Sequence, residues 1–293
     1  MMTLPRKILE RKLRSFLEED IGEGDITTAL TVPQGTVIEA EIYAKETGIV
    51  AGIEEVLVLL RSLGLQAEPK IADGAKVKPQ TVLLRIVGDA RTILTAERTI
   101  LNILSRMSGI ASVTRRIVDK IKNGGYKPRV ACTRKVAPGL LYFDKKAVLV
   151  GGGDVHRLRL DDMILIKDNH LAITGDVARA VKEAKSKGSF SKKIEIEVST
   201  PEEALKAAEA NADIIMLDNF SPARIRKTLE LLEKNGLRGK VLIEASGGIN
   251  EENVLEFAST GVDVLSLGAI TQSAKALDIS LEVVKVRKAK REK

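Results

Sequence analysis

The feature that most constrains the fold is a series of short apolar segments at regular spacing between residues 129 and 267. Seven have the length and composition of buried strands: Arg129–Thr133, Ala147–Val150, Met163–Ile166, Ile194–Val198, Asp213–Leu217, Val241–Ala245 and Val262–Leu267. Helical patterns lie between the later ones, at Asp176–Lys187, Pro201–Asn211, Pro222–Asn235 and Glu251–Thr260. Strands that alternate with helices at this spacing are typical of a parallel α/β sheet. Seven such strands in order, joined by short crossovers, favour a barrel over an open sheet.

The first part of the chain has a different pattern. Ile8–Glu19 and Glu54–Leu63 have the helical spacing of apolar residues, whereas Thr36–Tyr43 and Val82–Val87 have the composition of strands. These elements predict a small α+β domain over residues 1–112.

Two further segments complete the predicted organisation. A helical pattern runs from Thr92 to about Ile121, with Gly109 as a candidate break. Beyond the last strand, residues 273–293 are predicted to form a helix that packs back on the N-terminal domain. The barrel domain is therefore expected to cover residues 113–272.

Charge and composition argue against several classes of protein. The 293-residue chain has a formal net charge of +7, of which the tail Lys285–Lys293 contributes +5, and such a tail is usually a solvated terminus. Aromatic content is 3% with no Trp, so stacking surfaces for single-stranded nucleic acid are scarce. No apolar run approaches the length of a membrane span, and the N-terminus lacks the apolar core of a signal peptide. With a single cysteine, Cys132, we expect a cytoplasmic protein that binds neither membrane nor nucleic acid.

Polar residues gather where the predicted strands end. In a parallel barrel the carboxyl ends of the strands meet at one mouth, where catalytic groups lie. The residues at these ends are Arg134, Lys135, His156, Arg157, Lys167, Glu197, Asp218, Ser246, Gly247, Gly248, Gly268 and Ala269. Cations beside buried strands need a resident anion, because an unpaired charge near a core is costly. The pattern therefore predicts a site for a polyanionic small molecule.

Acids and glycines refine this prediction. The glycine-containing loops after the last two strands are suited to bind phosphate through backbone N–H groups, although a tight turn explains the same residues. Glu197 lies in an apolar strand, and with Asp218 it suits Mg²⁺ or ribose hydroxyls. A structural ion pair between Glu197 and a lysine is the alternative. His170 is expected to be a cap, and Cys132 a small buried apolar residue rather than a nucleophile.

Several motifs along the chain resemble those of the quinolinate phosphoribosyltransferase family. They are Thr133-Arg134-Lys135-x-x-Pro138-Gly139, Gly151-Gly152-Gly153-x-x-His156-Arg157, Leu165-Ile166-Lys167-Asp168-Asn169-His170, Ser246-Gly247-Gly248-Ile249, Glu19-Asp20-Ile21-Gly22-x-Gly24-Asp25-Ile26-Thr27-Thr28 and Ala96-Glu97-Arg98-Thr99-x-Leu101-Asn102. They occur in order over nearly the whole chain. The chain departs from the usual family residues at Val136, Ala137, Leu141 and Lys146, positions expected to border the site.

The resemblance implies a two-domain subunit, with an N-terminal α/β sandwich and an incomplete seven-stranded TIM-like barrel. It implies a homodimer or homohexamer in which Arg98 is donated in trans to the substrate carboxylates. It further implies four groups of binding residues. The first group, Arg134, His156 and Arg157, holds quinolinate, and the second, Lys135 and Lys167, bridges quinolinate and pyrophosphate. The third group, Glu197 and Asp218, holds ribose and Mg²⁺. The fourth group binds the 5-phosphate and consists of Ser246, Gly247, Gly248, Gly268 and Ala269. Lys135, Lys167, Glu197 and Asp218 are the expected catalytic residues. The reaction joins quinolinate to phosphoribosyl pyrophosphate and releases CO₂ and pyrophosphate, with Mg²⁺ and no organic cofactor.

Alternative functions stay open at this point. One is a phosphoribosyltransferase that acts on nicotinate without decarboxylation. Another is the molybdenum-operon paralogue of the fold, which tends to lack the motif present here as Lys167-Asp168-Asn169. From a different class, a nucleic-acid-binding protein would use the basic tail. A lipoyl- or biotinyl-carrier domain would use the turn Ala75-Lys76-Val77.

Overall fold

A computed structural model describes residues 2–287 of the chain. The chain divides into two compact units. The first unit contains residues 2–112, Tyr142–Gly151 and residues 274–287, and the second contains Val113–Leu141 and Gly152–Ser273.

The described residues form helices and strands in alternation along most of the chain. The helices are α1 (Arg6–Ile21), α2 (Ile26–Thr31), α3 (Ile53–Ser62), α4 (Ala90–Asn123), α5 (Leu141–Gly151), α6 (Asp168–Thr174), α7 (Val177–Lys187), α8 (Pro201–Glu209), α9 (Pro222–Lys234), α10 (Val254–Ala258) and α11 (Ala269–Gln272). The strands are β1 (Val37–Ala44), β2 (Gly48–Ile49), β3 (Gln66–Pro69), β4 (Lys76–Val77), β5 (Val82–Asp89), β6 (Arg129–Cys132), β7 (Ile164–Ile166), β8 (Ile194–Val198), β9 (Ile214–Asp218), β10 (Leu242–Ser246), β11 (Val264–Leu267) and β12 (Ile279–Arg287). Among these helices, none combines the length and the apolar character needed to cross a membrane.

The first unit is built on a four-stranded antiparallel sheet. Its strand order is β12-β1-β5-β3, and the short strands β2 and β4 form a separate pair. In β1 every second residue is fully or almost fully buried, namely Ile38, Ala40, Ile42 and Ala44. This alternation, which the sequence showed, places one face of the strand in the core.

The C-terminal segment is a strand, so the prediction of a helix over residues 273–293 was wrong. Strand β12 pairs with β1 along its whole length, from Ala44 opposite Ile279 to Val37 opposite Arg287. A string of branched residues, including Val283 and Val286, favours a strand, and pairing with β1 satisfies its backbone groups. The last six residues of that prediction lie outside the described part of the chain.

Helix α4 runs without a break through Gly109. The glycine has a packing role instead. A Cβ at residue 109 would lie 2.1 Å from the backbone oxygen of Lys275 and 2.9 Å from Cα of Ala276. Gly109 is therefore the position at which the C-terminal segment crosses the helix at backbone contact.

The second unit is a six-stranded parallel sheet in the order β6-β11-β10-β9-β8-β7. The predicted α/β class and parallel strand order are confirmed, but the strand count is six rather than seven. The segment Ala147–Val150, predicted as the second strand, lies in helix α5 of the first unit. A short apolar run does not distinguish a strand from a buried helix, and here Ala147 and Val148 are fully buried on the helix. Asp154 forms a single parallel bridge with Ala131, beyond β6 at the sheet edge.

Candidate active site

The carboxyl ends of the parallel strands surround one cavity of about 890 Å³ in the second unit, which we call the cup. Every barrel residue that the sequence placed in the site lines it: Arg134, Lys135, His156, Arg157, Lys167, Glu197, Asp218, Ser246, Gly247, Gly248, Gly268 and Ala269. Arg98 is an exposed residue of α4 in the first unit and does not line the cup. Residues that the sequence did not single out also line it, among them Thr133, Met216, Asn219, Glu244, Ser266 and Gln272.

The loop after β6 presents two of the cations. The N–H of Lys135 donates to Oγ1 of Thr133 at 3.1 Å, and the hydroxyl of Thr271 donates to the backbone oxygen of Lys135 at 2.7 Å. Gly268 leaves room for the lysine, since a Cβ there would lie 3.0 Å from Cδ of Lys135. The smallest residue at the end of β11 is therefore explained by its close approach to a cup cation.

Lys167 and Glu197 form an ion pair at the cup. Nζ of Lys167 lies 2.6 Å from Oε2 of Glu197, whose side chain is 10% exposed. The structure thus contains the lysine pair that was the alternative explanation for Glu197, and both of its members line the cup. The N–H of Lys167 donates to Nδ1 of His170 at 2.9 Å, so the expected capping role of His170 is confirmed.

Asp218 and the glycine loop after β10 are held together by Asn219. Nδ2 of Asn219 donates to Oδ2 of Asp218 at 2.6 Å, and the backbone of Asn219 is left-handed. Gly247 and Gly248 both have positive φ, and a Cβ on Gly247 would lie 2.1 Å from Oδ1 of Asn219. Glycine at residue 247 is therefore required by conformation and by space.

A buried cluster of His156, Glu195 and Glu244 lies beside the cup. Nε2 of His156 lies 3.1 Å from Oε2 of Glu244 and 3.2 Å from Oε2 of Glu195. Glu195 and Glu244 are 0% and 1% exposed. One nitrogen or oxygen atom from each of the three side chains lies within 4.8 Å of the other two, so the set has the composition of a metal site. Arg157 already supplies a positive charge to Glu195. Glu244 was not predicted, yet a carboxylate inside the apolar strand Leu242–Ser246 is the same signal that identified Glu197.

The cluster binds an additional proton at neutral pH. Burial lowers the pKa of His156, but the hydrogen bonds and charges of Glu195 and Glu244 outweigh it and raise the pKa to about 10. Nδ1 of the ring accepts a hydrogen bond from the N–H of Arg157 at 2.7 Å, which places the ring proton on Nε2. Burial also raises the pKa of Glu195. His156 and the burial of Glu195 beside it therefore keep a proton inside the cluster at neutral pH.

Burial also affects Arg157, which is 7% exposed. Desolvation, and then the nearby charge of Arg134, lower the pKa of its guanidinium, while Glu195 opposes them. Two guanidinium groups that repel each other in a cup are stabilised by an anion between them.

The positions at which the chain departs from the usual family residues do not line the cup. None of Val136, Ala137, Leu141 and Lys146 is among its lining residues. Nζ of Lys146 instead pairs with Glu54 at 2.5 Å and Glu55 at 2.7 Å inside the first unit. Lys146 lies on helix α5 of the first unit, whereas the cup lies in the second unit.

Comparison with known proteins agrees with the motifs and the fold. Residues 25–108 match the model of the quinolinate phosphoribosyl transferase N-terminal domain, and residues 110–282 match that of the C-terminal domain. A probable nicotinate-nucleotide pyrophosphorylase (carboxylating) of Methanocaldococcus jannaschii is 48% identical over 275 residues, 93% of this chain and 96% of that protein. The human nicotinate-nucleotide pyrophosphorylase (carboxylating) is 36% identical over 282 residues, 96% of this chain and 94% of that protein.

Solved structures extend the likeness to three dimensions. The nicotinate-nucleotide pyrophosphorylase of Francisella tularensis superposes with a TM-score of 0.86 and 38% identity, covering 98% of each chain. NadC of Streptococcus pyogenes superposes with a TM-score of 0.89 and 33% identity, covering 98% of this chain and 99% of that one. Matches to both domains, in order and over nearly the full length, show that the chain belongs to the quinolinate phosphoribosyltransferase family.

Proposed function

We propose that the protein joins quinolinate to phosphoribosyl pyrophosphate and forms nicotinate mononucleotide, CO₂ and pyrophosphate, a step of NAD biosynthesis. The observation that carries this proposal is the cup itself, where Arg134, Lys135, Arg157 and Lys167 face a few acids around about 890 Å³. Both substrates are small polyanions, and so many cations in one cavity are stable when anions occupy it. We place the enzyme in the cytoplasm, since its one cysteine, Cys132, is buried and has no second cysteine with which to pair.

The dicarboxylate would lie against the two arginines. Arg134 and Arg157 repel each other, as the lowered pKa of Arg157 indicates, and a dianion between them removes this cost. Guanidinium groups are also suited to bidentate contacts with carboxylates. His156 has a different role in this arrangement, because both ring nitrogens face protein groups. We assign it to holding Glu195 and Glu244 rather than quinolinate.

The sugar donor would span the other side of the cup. Lys135 and Lys167 bind the pyrophosphate, and Glu197 and Asp218 bind the ribose hydroxyls. The 5-phosphate lies on the loops that contain Ser246, Gly247, Gly248, Gly268 and Ala269. The three glycines have no side chain to keep a phosphate from the backbone. Glu197 and Asp218 also fit Mg²⁺, which is usually held by one or two carboxylates together with substrate phosphates. A bound Mg²⁺ would neutralise charge on the leaving pyrophosphate.

The chemistry follows from this placement. Ribosyl transfer passes through an oxocarbenium-like state, so carboxylates near the ribose and cations on the leaving group stabilise it. Transfer leaves a positive charge on the ring nitrogen. That charge stabilises the electron pair that remains when the neighbouring carboxyl group leaves as CO₂, so an organic cofactor is not needed.

The family resemblance implies that Arg98 is donated to the cup of another subunit. It is exposed on α4 of the first unit, where it is available for such a contact. We therefore propose a homodimer, alone or within a hexamer, with shared active sites. The test mixes Arg98→Ala and Lys135→Ala subunits after separate purification and dissociation. If sites are shared, each mixed dimer of the two inactive variants has one intact site, and random mixing restores about a quarter of wild-type activity. Activity that stays at the level of the separate variants would contradict sharing.

A further inference from the structure

One hydroxyl group joins the loop after β6 to the segment after β11. Strands β6 and β11 are neighbours in the parallel sheet, so the two segments leave the sheet side by side at the cup. Thr271, on α11, is 1% exposed and is not among the residues that line the cup. Its hydroxyl donates to the backbone oxygen of Lys135 at 2.7 Å, across 136 positions of the sequence. The bond therefore connects a cation of the cup to a buried side chain outside it.

This bond differs from the usual one of a helical threonine. Within a helix, a threonine hydroxyl normally donates to a carbonyl oxygen three or four residues earlier. For Thr271 that local acceptor is the oxygen of Gly268, but it lies 3.3 Å away, whereas the oxygen of Lys135 lies at 2.7 Å. A hydroxyl has one proton, and the distance to Lys135 is the usual one for an O–H···O bond. The side chain therefore holds a distant loop rather than its own helix.

The segment after β11 also contacts Lys135 at a second point. Gly268 lies against the lysine stem, and a Cβ on this glycine would lie 3.0 Å from Cδ of Lys135. Lys135 is itself an exposed residue, so burial does not fix its flexible side chain. Thr271 fixes its backbone instead, and Gly268 borders the path of its stem. These two contacts restrict where the ammonium group can lie.

The position of this ammonium group matters for the proposed reaction. The 5-phosphate of the sugar donor, on Gly268 and Ala269, takes no part in bond breaking. Lys135, in contrast, meets the charge that develops on the leaving pyrophosphate. Binding of a part of the substrate that does not react raises the rate when it orients the groups that do. A bond between the phosphate segment and the lysine loop supplies such an orientation.

We propose that Thr271 is a positioning residue, which holds Lys135 at the leaving pyrophosphate by tying its loop to the segment that binds the 5-phosphate. Thr271 contacts neither substrate and acts through Lys135. This inference rests on the proposed function, because it requires phosphoribosyl pyrophosphate to lie in the cup.

The test removes the hydroxyl and keeps the shape of the side chain. Thr271→Val has no donor for the oxygen of Lys135, whereas Thr271→Ser keeps one. With quinolinate, phosphoribosyl pyrophosphate and Mg²⁺, we expect the single-turnover rate of pyrophosphate release by Thr271→Val to fall by about tenfold to a hundredfold, the effect of misplacing a group by about 1 Å. Thr271→Ser should stay close to the wild-type rate. The KM for phosphoribosyl pyrophosphate should change little, because the glycines that contact the 5-phosphate remain.

Thr228→Val is the matched control. Thr228 is a fully buried threonine of α9, and its hydroxyl donates to the oxygen of Arg224, four residues earlier, at 2.9 Å. This variant shows the effect of removing a buried hydroxyl that bonds within its own helix, and it should release pyrophosphate at the wild-type rate. The melting temperatures of both valine variants report whether they are folded.

A double substitution distinguishes positioning from a structural role. If Thr271 acts through Lys135, adding Thr271→Val to Lys135→Ala should lower the rate no further. Adding it to Lys167→Ala should lower the rate by the same factor as in the wild-type protein. Thr271→Ala removes the same donor without a branched side chain, and it gives the same comparison if valine prevents folding.

Three results would overturn the inference. They are a wild-type rate for Thr271→Val, equal losses in Thr271→Val and Thr271→Ser, and a further fall when Thr271→Val is added to Lys135→Ala. Failure of the wild-type protein to form nicotinate mononucleotide would instead overturn the proposed function.

Discussion

Replacement of Lys167 by alanine should separate catalysis from stability. The lysine side chain is 44% exposed, and its ion pair with Glu197 is therefore partly solvated. A partly exposed pair contributes about 0–1 kcal/mol to folding, and Glu197 lines the cup, so water can occupy the space of the lysine and solvate this carboxylate in the variant. The same ammonium group is placed to stabilise charge on the leaving pyrophosphate, and loss of one such contact costs about 3 kcal/mol in the transition state. That cost corresponds to a fall in turnover of at least about a hundredfold, since 1.36 kcal/mol is a factor of ten.

The assay measures pyrophosphate release and the melting temperature of the same preparation. We expect turnover of Lys167→Ala to fall by about two orders of magnitude while the melting temperature changes by only a few degrees. Lys187→Ala is the control, because Lys187 pairs with Glu183 at 3.4 Å on the exposed face of α7 and lies outside the cup. Near-normal turnover of Lys167→Ala would refute the role of the lysine. So would a loss of activity that follows a loss of folded protein.

Two substitutions in the first unit test the account of its packing. Burial raises the pKa of Asp73 to about 6, so its folded form binds a proton more tightly than its unfolded form, and stability is lost as pH rises from about 4 to 6. Asp73→Asn keeps the oxygen that accepts a hydrogen bond from the N–H of Ile53. The substitution should raise the free energy of unfolding by about 1–3 kcal/mol at pH 8 and should give no gain at pH 3. Equal gains at both pH values, measured by urea unfolding, would contradict this. Gly109→Ala should lower the free energy of unfolding by about 1–3 kcal/mol, because the new Cβ overlaps the backbone of residues 275 and 276. Without this overlap, alanine would stabilise a helix interior by about 1 kcal/mol relative to glycine. An increase in melting temperature would therefore show that the C-terminal segment does not cross the helix at backbone contact.

The parallel sheet could be predicted because its sequence signals are local. Strands β8, β9 and β10 are each five residues long and mostly apolar, and every residue of β8 is buried, as expected when both faces of a sheet are covered. The helices between them begin at recognisable caps. Thr200 and Ser221 accept hydrogen bonds from the backbone at the starts of α8 and α9, and a proline follows each.

The errors of prediction occurred where local pattern did not decide the structure. The run Ala147–Val150 has the composition of a strand, but it lies in helix α5, where residues 142–148 are all buried. Only the tertiary fold supplies the contacts that bury this helix. In the same helix, Asp144 is fully buried and forms two hydrogen bonds with Arg106, so its charge is matched by a residue distant in sequence. The C-terminal strand is a further example, since its conformation depends on an available edge of β1.

The cup residues were accessible to prediction because the geometry of a barrel brings the carboxyl ends of its strands together. For most of them no distance had to be known, since strand order and the position of each residue in its strand were sufficient. His156 and Arg157 differ, because they were placed after a predicted strand that is helix α5, yet they line the cup. Arg98 is the exception. Its expected place came from the family resemblance, and a contact between subunits of the kind proposed for it would leave no pattern in the spacing of the chain.

The buried charges of the second unit explain why this sequence is informative about function. Glu195, Glu197 and Glu244 all lie inside strands that apolar residues would stabilise better, because burial of a carboxylate costs several kcal/mol before its partners compensate. His156, Arg157 and Lys167 provide that compensation, and each of these six side chains contacts or borders another of opposite charge. Such an arrangement gains less in stability than an apolar core, so the presence of these acids in strands β8 and β10 is explained by the chemistry of the cup. An acid within an apolar strand, with a cation after a neighbouring strand, is therefore the pattern by which Glu244 could have been recognised together with Glu197.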